Sequence, residues 1–326
     1  MRECTALGLL GLVVGGVFAD TPSLNERAQL SFTSTAISEQ AGYLLSDQRL
    51  HDDPKILWDG LLTGLRGFEH FHEPVGAPFY FETPFNETHA KFVYLHHDFP
   101  AGGPLNNGNL DVFALQVRIA LTERLALIAT QDGYSILEPA EGAPDSEGWN
   151  DIALGLKYTF VADEESDFLF AAGMRYKLNS GDSDVLQGDV QELSPFISVA
   201  KGWDKLHFVG NVTYRAPFDS NDGNHVLQWH THLDYELFDG VAPMVELHGL
   251  HYLSNGDRTP LSVGGLDYTN LGSTDVKGSS VVWIGVGASI KLSPHIELGA
   301  VYEHTLTNEN SDIFDSRVTA AVTINW

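Results

Sequence analysis

Residues 316–326 read SRVTAAVTINW. Val318, Ala320, Val322, Ile324 and Trp326 alternate with Arg317, Thr319, Ala321, Thr323 and Asn325. Successive side chains of a strand point to opposite faces, so this stretch predicts a strand carried through to an aromatic last residue. Chain ends that nothing ties down fray. An ordered strand here must therefore pair along its whole length.

The same period of two recurs from about residue 89 onward. In NDIALGLKYTF (150–160), Ile152, Leu154, Leu156, Tyr158 and Phe160 oppose Asp151, Ala153, Gly155, Lys157 and Thr159. HVLQWHTHLDYELF (225–238) sets Leu227, Trp229, Thr231, Leu233, Tyr235 and Leu237 against Gln228, His230, His232, Asp234 and Glu236. A soluble sandwich would alternate in the same way, but its strands typically run to about 5 or 6 residues. Strands that cross a bilayer need about 9 to 11, the length these segments reach. Twelve such segments start near His89, Asn109, Arg124, Gly148, Ser166, Gln191, Lys205, Asn224, Val241, Gly278, His295 and Asp312. Short turns (LTER, VADEES, GWDK, LFDG, LSPH) alternate with long Gly-, Pro- and Asp-rich loops, TNENS being the exception. That sorting predicts an all-β fold, a transmembrane antiparallel up-and-down β-barrel of about 12 strands. Its last strand must close on its first, because an open edge in lipid leaves backbone groups unsatisfied. Val318, Val322, Ile324 and Trp326 also resemble the C-terminal signature of bacterial outer-membrane proteins, which the outer-membrane insertion machinery reads.

Residues 1–19, with Arg2 ahead of an apolar run and Val17-Phe18-Ala19 before Asp20, have the layout of a secretory signal peptide. The one cysteine, Cys4, lies inside it, so no disulfide is expected in the exported chain. Residues 20–88 lack the strand period and are expected to form an N-terminal periplasmic leader or a plug, with 89–326 as the barrel. PKILWDGLLTGLRGFEHF (54–71) carries Ile56, Leu57, Leu61, Leu65 and Phe68 at near-helical spacing, which Gly60, Gly64 and Gly67 weaken. The reading preferred for this stretch is a partly ordered periplasmic leader.

The formal charge is −26, from 18 basic and 44 acidic residues, which excludes nucleic acid as a partner. Yet the polar strand faces carry as many bases as acids. Arg118, Lys157, Arg175, Lys177, Arg215, Lys291 and Arg317 stand against Asp132, Asp151, Asp234, Glu236, Glu246, Glu297 and Glu303. Charges facing a barrel interior mark a water-filled path or fill a narrow one. The expected selectivity residues are thus Arg118, Lys157, Arg175, Lys177, Arg215, His230, His232, Asp234, Glu236, Glu246 and Lys291. Of this set, Lys157, Arg175, Lys177 and Arg215 would form one basic patch opposite Asp234, Glu236 and Glu246 across the lumen.

Three histidine clusters, HFHE (70–73), YLHHDF (94–99) and WHTHLDYE (229–236), invite a metal reading. Ligands two apart on a strand lie about 7 Å apart, too far to converge on one ion. The acidic loops EPAEGAPDSEGWND and GDSDVLQGDVQE lack a calcium-loop spacing. No metal or cofactor is assigned. The His-x-Ser pattern familiar from outer-membrane lipases is absent, so the chain is not read as an enzyme.

Gly148, Asp151, Gly155, Lys157 and Tyr158 of GWNDIALGLKYTF, with FAAGMRYKLNSGD after them, resemble a bacterial family of outer-membrane transporters linked to meta-pathway phenol degradation. The resemblance implies a channel. The expected function is an outer-membrane channel for passive diffusion of small hydrophilic or amphipathic solutes, with outer-membrane lipid around it. The alternatives are a structural or surface-interaction barrel with a filled lumen, and an outer-membrane hydrolase.

Overall fold

A computed structural model describes residues 60–308 and 312–326. The expected signal at 1–19, and the leader as far as residue 59, lie outside the described residues. Fourteen strand segments follow one another: β1 (His89–Asp98), β2 (Asn109–Ala120), β3 (Leu125–Gln131), β4 (Tyr134–Glu138), β5 (Ser146–Trp149), β6 (Ala153–Asp163) and β7 (Phe168–Lys177). They continue with β8 (Glu192–Trp203), β9 (Leu206–Pro217), β10 (Val226–Tyr235), β11 (Val241–Tyr252), β12 (Ser280–Ser293), β13 (Ile296–Thr305) and β14 (Ser316–Asn325). β3 with β4, and β5 with β6, each form one interrupted wall strand. The wall is therefore a closed antiparallel barrel of 12 strands.

Closure is made where the sequence requires it. β14 pairs with β1 from His89↔Asn325 to Asp98↔Ser316, and β1 pairs with β2 along its other edge. The Trp326 N–H donates to Thr88 O at 3.0 Å, so pairing reaches the last residue. The alternation sorts as expected. Phe92, Tyr94, Phe113, Leu156, Tyr302, Val318 and Val322 point outward, while Lys91, Gln116, Arg118, Lys157 and Arg317 are buried inside. Neither the wall nor the rest of the described chain contains a helix able to cross a membrane.

The two interruptions lie side by side. β2 pairs with β3 below Asp132 and Gly133 and with β4 above them. The Asp132 carboxylate fills the break by accepting the Leu115 N–H at 3.0 Å. β5 pairs with β4 on one side and has no strand partner on the other. Trp149 N–H instead donates to Asp182 Oδ2 at 2.7 Å. A groove of about 1050 Å³ opens on the outer surface here, lined by Phe92, Tyr94, Phe113 and Trp149 with Asp132, Asn150 and Asp182. Asp132, expected inside, thus borders this outward groove.

Residues 60–88 form no helix. Gly60, Leu62, Gly64 and Gly67 all have positive φ, a region helical residues do not occupy. At Gly64 an added Cβ would lie 1.5 Å from Asn86 O, so only glycine permits that approach.

The occluded lumen as candidate functional site

The segment preceding β1 enters the barrel as a hairpin. Its stems meet at the rim of short turns, where the Leu65 N–H donates to Asn86 O at 3.0 Å. Asn86 Nδ2 donates to Thr122 O and Glu123 O of the β2–β3 turn, at 3.1 and 2.6 Å. Its tip reaches deep into the lumen: Tyr80 Oη donates to Glu192 Oε2, at the opposite end of β8, at 2.9 Å. In outer-membrane barrels short turns are periplasmic and long loops extracellular, so the hairpin enters from the periplasmic side.

The hairpin has almost no internal ladder, and its polar backbone is satisfied by the wall. Lys91 Nζ donates to Pro74 O at 2.6 Å, Gln116 Nε2 to Pro78 O at 2.8 Å and Arg175 Nη1 to Phe79 O at 2.6 Å. Ser198 Oγ donates to Glu82 O at 2.6 Å, Lys157 Nζ to Thr83 O at 2.7 Å and Thr159 Oγ1 to Pro84 O at 2.9 Å. Lys291, at the periplasmic rim, donates to the carbonyls of Glu69, His70 and Phe71. Donors are matched by acceptors. Val75 and Gly76 N–H donate to the two oxygens of Glu246 at 3.0 and 2.7 Å, and Ala77 N–H to Glu303 Oε1 at 3.2 Å. A buried backbone group left unpaired is costly, so this set of wall residues fixes where the hairpin can sit.

Two hairpin carboxylates complete the wall's ion pairs. Arg118 lies 2.9 Å from Glu73 and 3.2 Å from Glu82, and Lys157 lies 2.7 Å from Glu82. Burial alone would raise the carboxyl of Glu73, but the charges of Arg118, Lys91 and Lys157 outweigh it and hold it below its ordinary range. For Glu82, Lys157 and Arg118 outweigh burial in the same way. The Tyr80 ring lies between two guanidinium groups, 4.8 Å from Arg175 and 4.5 Å from Arg215.

From the other side, the β11–β12 loop folds into the mouth. Arg215 donates to Leu266 O and Thr269 O at 2.8 and 3.1 Å, and pairs with Glu192 at 3.1 Å. Arg317 bridges Asp267 of this loop, at 2.9 Å, and Glu303, at 2.8 Å. Hairpin residues Val75, Phe79 and Phe81, loop residues Leu266 and Tyr268, and wall residues Leu110, Leu250 and Trp283 join one apolar cluster inside the barrel. Filling of this kind is the way narrow barrels exclude voids.

Most residues expected along the lumen are inside, in other company. Arg118, Lys157, Arg175 and Glu246 hold the hairpin, and Arg215 holds the outer loop and Glu192. Lys177 pairs with Asp151 at 2.9 Å, whose other oxygen accepts N–H groups of Gly181 and Gly188. His232 lies between Asp234 and Glu246, at 3.0 and 2.8 Å. His230 lies 3.1 Å from His248 and stacks on Phe81. Glu236 falls outside the lumen, since β10 ends at Tyr235 and its carboxylate accepts the Gly240 N–H at 3.2 Å in the turn. Lys91, Gln116, Glu192 and His248 were missed: Gln116 and His248 share the inward parity of Arg118 and Glu246, whereas no inward residue of β1 or β8 was named. Glu73, Tyr80 and Glu82 had no signal, because a hairpin without a period does not announce its partners.

A Ser–His pair lies at the exposed surface. His251 Nδ1 is 2.7 Å from Ser280 Oγ, and the Trp229 indole N–H donates to His251 Nε2 at 3.1 Å. An indole is a donor only, so Nε2 carries no proton in the neutral ring and Nδ1 does. In this tautomer His251 donates to the serine and has no lone pair to accept its proton. Such a pair lacks the activation a nucleophile requires.

A closed antiparallel barrel with an apolar outer belt, short turns on one rim and long loops on the other is a bacterial outer-membrane β-barrel. No family model matches the chain, and no curated protein matches it. Among solved structures, an outer membrane channel from Pseudomonas putida F1 aligns over 78% of this chain and 100% of its own. The TM-score is 0.52 and the identity 14%, a likeness of fold. The KdgM porin aligns at a TM-score of 0.43 and 12% identity, over 72% of this chain and 99% of its own. The NanC porin aligns at 0.43 and 10%, over 73% and 98%.

Proposed function

We propose that the protein is a gated outer-membrane channel for small hydrophilic or amphipathic solutes, with the hairpin between Leu65 and Asn86 as its gate. One observation carries the reading: the hairpin is held by side chains of the wall and takes no part in the wall's ladder. Barrel strands pair β1 to β14 and onward without it. It can therefore leave without opening an edge in the bilayer. The inward arginines and lysines, once released, would line the path and set its selectivity.

A filled, structural barrel is the second reading, favoured by the apolar cluster that joins hairpin, loop and wall. Planar bilayers separate the two. The stems meet at the Leu65–Asn86 bond, so a chain lacking residues 66–85 can be rejoined there with little strain. Brief or small conductance from the full chain and long-lived, larger steps from the deletion variant support the gate. Silence from a correctly folded deletion variant would refute it in favour of the filled barrel.

A further inference from the structure

We propose that Glu73, Glu87 and His89 form a binding site for a zinc-class divalent cation, which joins the hairpin to the first wall strand. Glu73 and Glu87 belong to the hairpin and its return stem; His89 is the first residue of β1. One donor atom from each lies within 4.8 Å of the other two. Zinc bonds of about 2.0–2.2 Å need donors about 3.4 Å apart in a tetrahedron. Rotation of two carboxylates supplies that contraction.

The histidine provides an independent observation. His89 is 5% exposed, and its Nδ1 has no hydrogen-bond partner. It faces Glu73 Oε1 at 3.7 Å, beyond hydrogen-bond reach. A buried ring nitrogen left unpaired is unfavourable, and imidazole is the commonest metal ligand among side chains. Glu87 brings a second carboxylate to the same point. A bound dication gives the imidazole the partner it lacks.

Space, charge and access agree. A void of about 20 Å³ borders Glu73 and His89, beside Lys91 and Arg118 but not Glu87, and is enough for one water-sized occupant. Three carboxylates, Glu73, Glu82 and Glu87, stand against three cations, Lys91, Arg118 and Lys157, so the ion does not enter a net positive pocket. Arg118 and Thr83 both bond Glu73 through Oε1. Glu87 also lines a periplasmic-rim cavity of about 320 Å³ with Glu69, Glu297 and Lys291, where three carboxylates against one ammonium leave a cation a net acidic approach. A mixed nitrogen and oxygen set suits zinc better than calcium or magnesium, which prefer oxygen alone.

The site stands whether or not the barrel conducts, so its test is metal binding. Full-length protein in detergent is stripped with chelator and titrated with zinc chloride alone, followed by calorimetry and elemental analysis. One zinc ion per chain is expected in the wild type. E87Q and H89Q should each weaken binding at least tenfold, whereas H96N, in an exposed cluster, should not. Heat-modifiable mobility reports whether each variant is folded. Cobalt in place of zinc should give visible absorption in the wild type and lose it in H89Q. Absence of a tight zinc site in the wild type, a wild-type cobalt complex without visible bands, or undiminished zinc affinity in folded E87Q would each overturn the proposal. Should H89Q not fold, E87Q decides, because Glu87 is half-buried and holds no other element in place.

Discussion

Gly76 is where a single added methyl group should unseat the hairpin. A Cβ at this position would lie 2.3 Å from Glu246 Oε2 and 3.0 Å from both Glu303 Oε1 and His248 Nε2. Carbon and oxygen do not approach so closely, and Glu246 would have to retreat by about 1 Å. That retreat breaks the bonds from Val75 and Gly76 N–H to the carboxylate, now 3.0 and 2.7 Å. Hydrogen bonds to a buried charged group contribute about 1.5–3 kcal/mol each. Partial relaxation leaves a loss of about 3 kcal/mol for the seated state, or roughly a hundredfold in the ratio of unseated to seated hairpin. The wall's ladder is untouched, so heat-modifiable folding should persist. Single-channel recordings of Gly76→Ala should show the ratio of open to closed time increased by about that factor. Protease should also cut between residues 66 and 85 faster than in the wild type. A folded Gly76→Ala with wild-type conductance and protease resistance would refute the idea that this contact seats the hairpin.

Glu82→Gln leaves Arg118 and Lys157 buried without their shared carboxylate, at a cost of about 3–5 kcal/mol. Hydrogen exchange of hairpin amides should accelerate while β8 to β11 stay protected; uniform exchange across both would contradict the separate-element view. Tyr80→Phe keeps the stack between Arg175 and Arg215 and loses only the bond to Glu192, about 1 kcal/mol. Tyr80→Ala removes the spacer between two guanidiniums and should raise conductance well above Tyr80→Phe; equal conductance in the two would show that the ring does not hold the tip. Trp326→Ala keeps both main-chain contacts of the last residue, its N–H to Thr88 O and its carbonyl to Arg66 Nη2 at 2.9 Å. Its melting temperature in detergent should match the wild type while the membrane-inserted yield in cells drops. A matching drop in both would assign Trp326 to stability rather than to recognition by the insertion machinery.

The wall was legible because its two solvents differ. Lipid outside and polar groups inside impose a strict period of two, and residues such as Leu156 and Lys157 reveal their faces by type alone. At both breaks the inward face shifts by one residue, from Ile128 to Ser135 and from Gly148 to Ala153, a change of parity that a reading in unbroken strands passed over. The lumen was half legible. Arg118, Lys157, Arg175 and Arg215 are buried inside the barrel, yet nothing in their spacing separates a charge that faces water from one that faces a hidden carbonyl. What decides between them is a segment of Gly, Pro and aromatic residues outside the barrel period. Its backbone, not its side-chain pattern, makes most of the contacts.

The same ions that make the hairpin costly to mutate make it feasible to withdraw. Removing one partner, as in Glu82→Gln, strands Lys157 in a dry interior, and the full desolvation penalty remains. Withdrawal differs, because hairpin and wall part together and water follows into the space between them. Arg118, Lys157, Glu82 and Glu246 then regain hydration in exchange for each other, and a buried ion pair is worth little against that exchange. An apolar plug of equal area has no such compensation: every Å² it exposes is opposed by roughly 25 cal/mol. The hairpin combines both kinds of contact in different places. Phe79 and Phe81 at its tip resist exposure, whereas Glu73, Gly76 and Glu82 meet charges that water can replace. If the hairpin is the proposed gate, its balance point lies at the tip aromatics, and the charged residues set the register in which it re-seats.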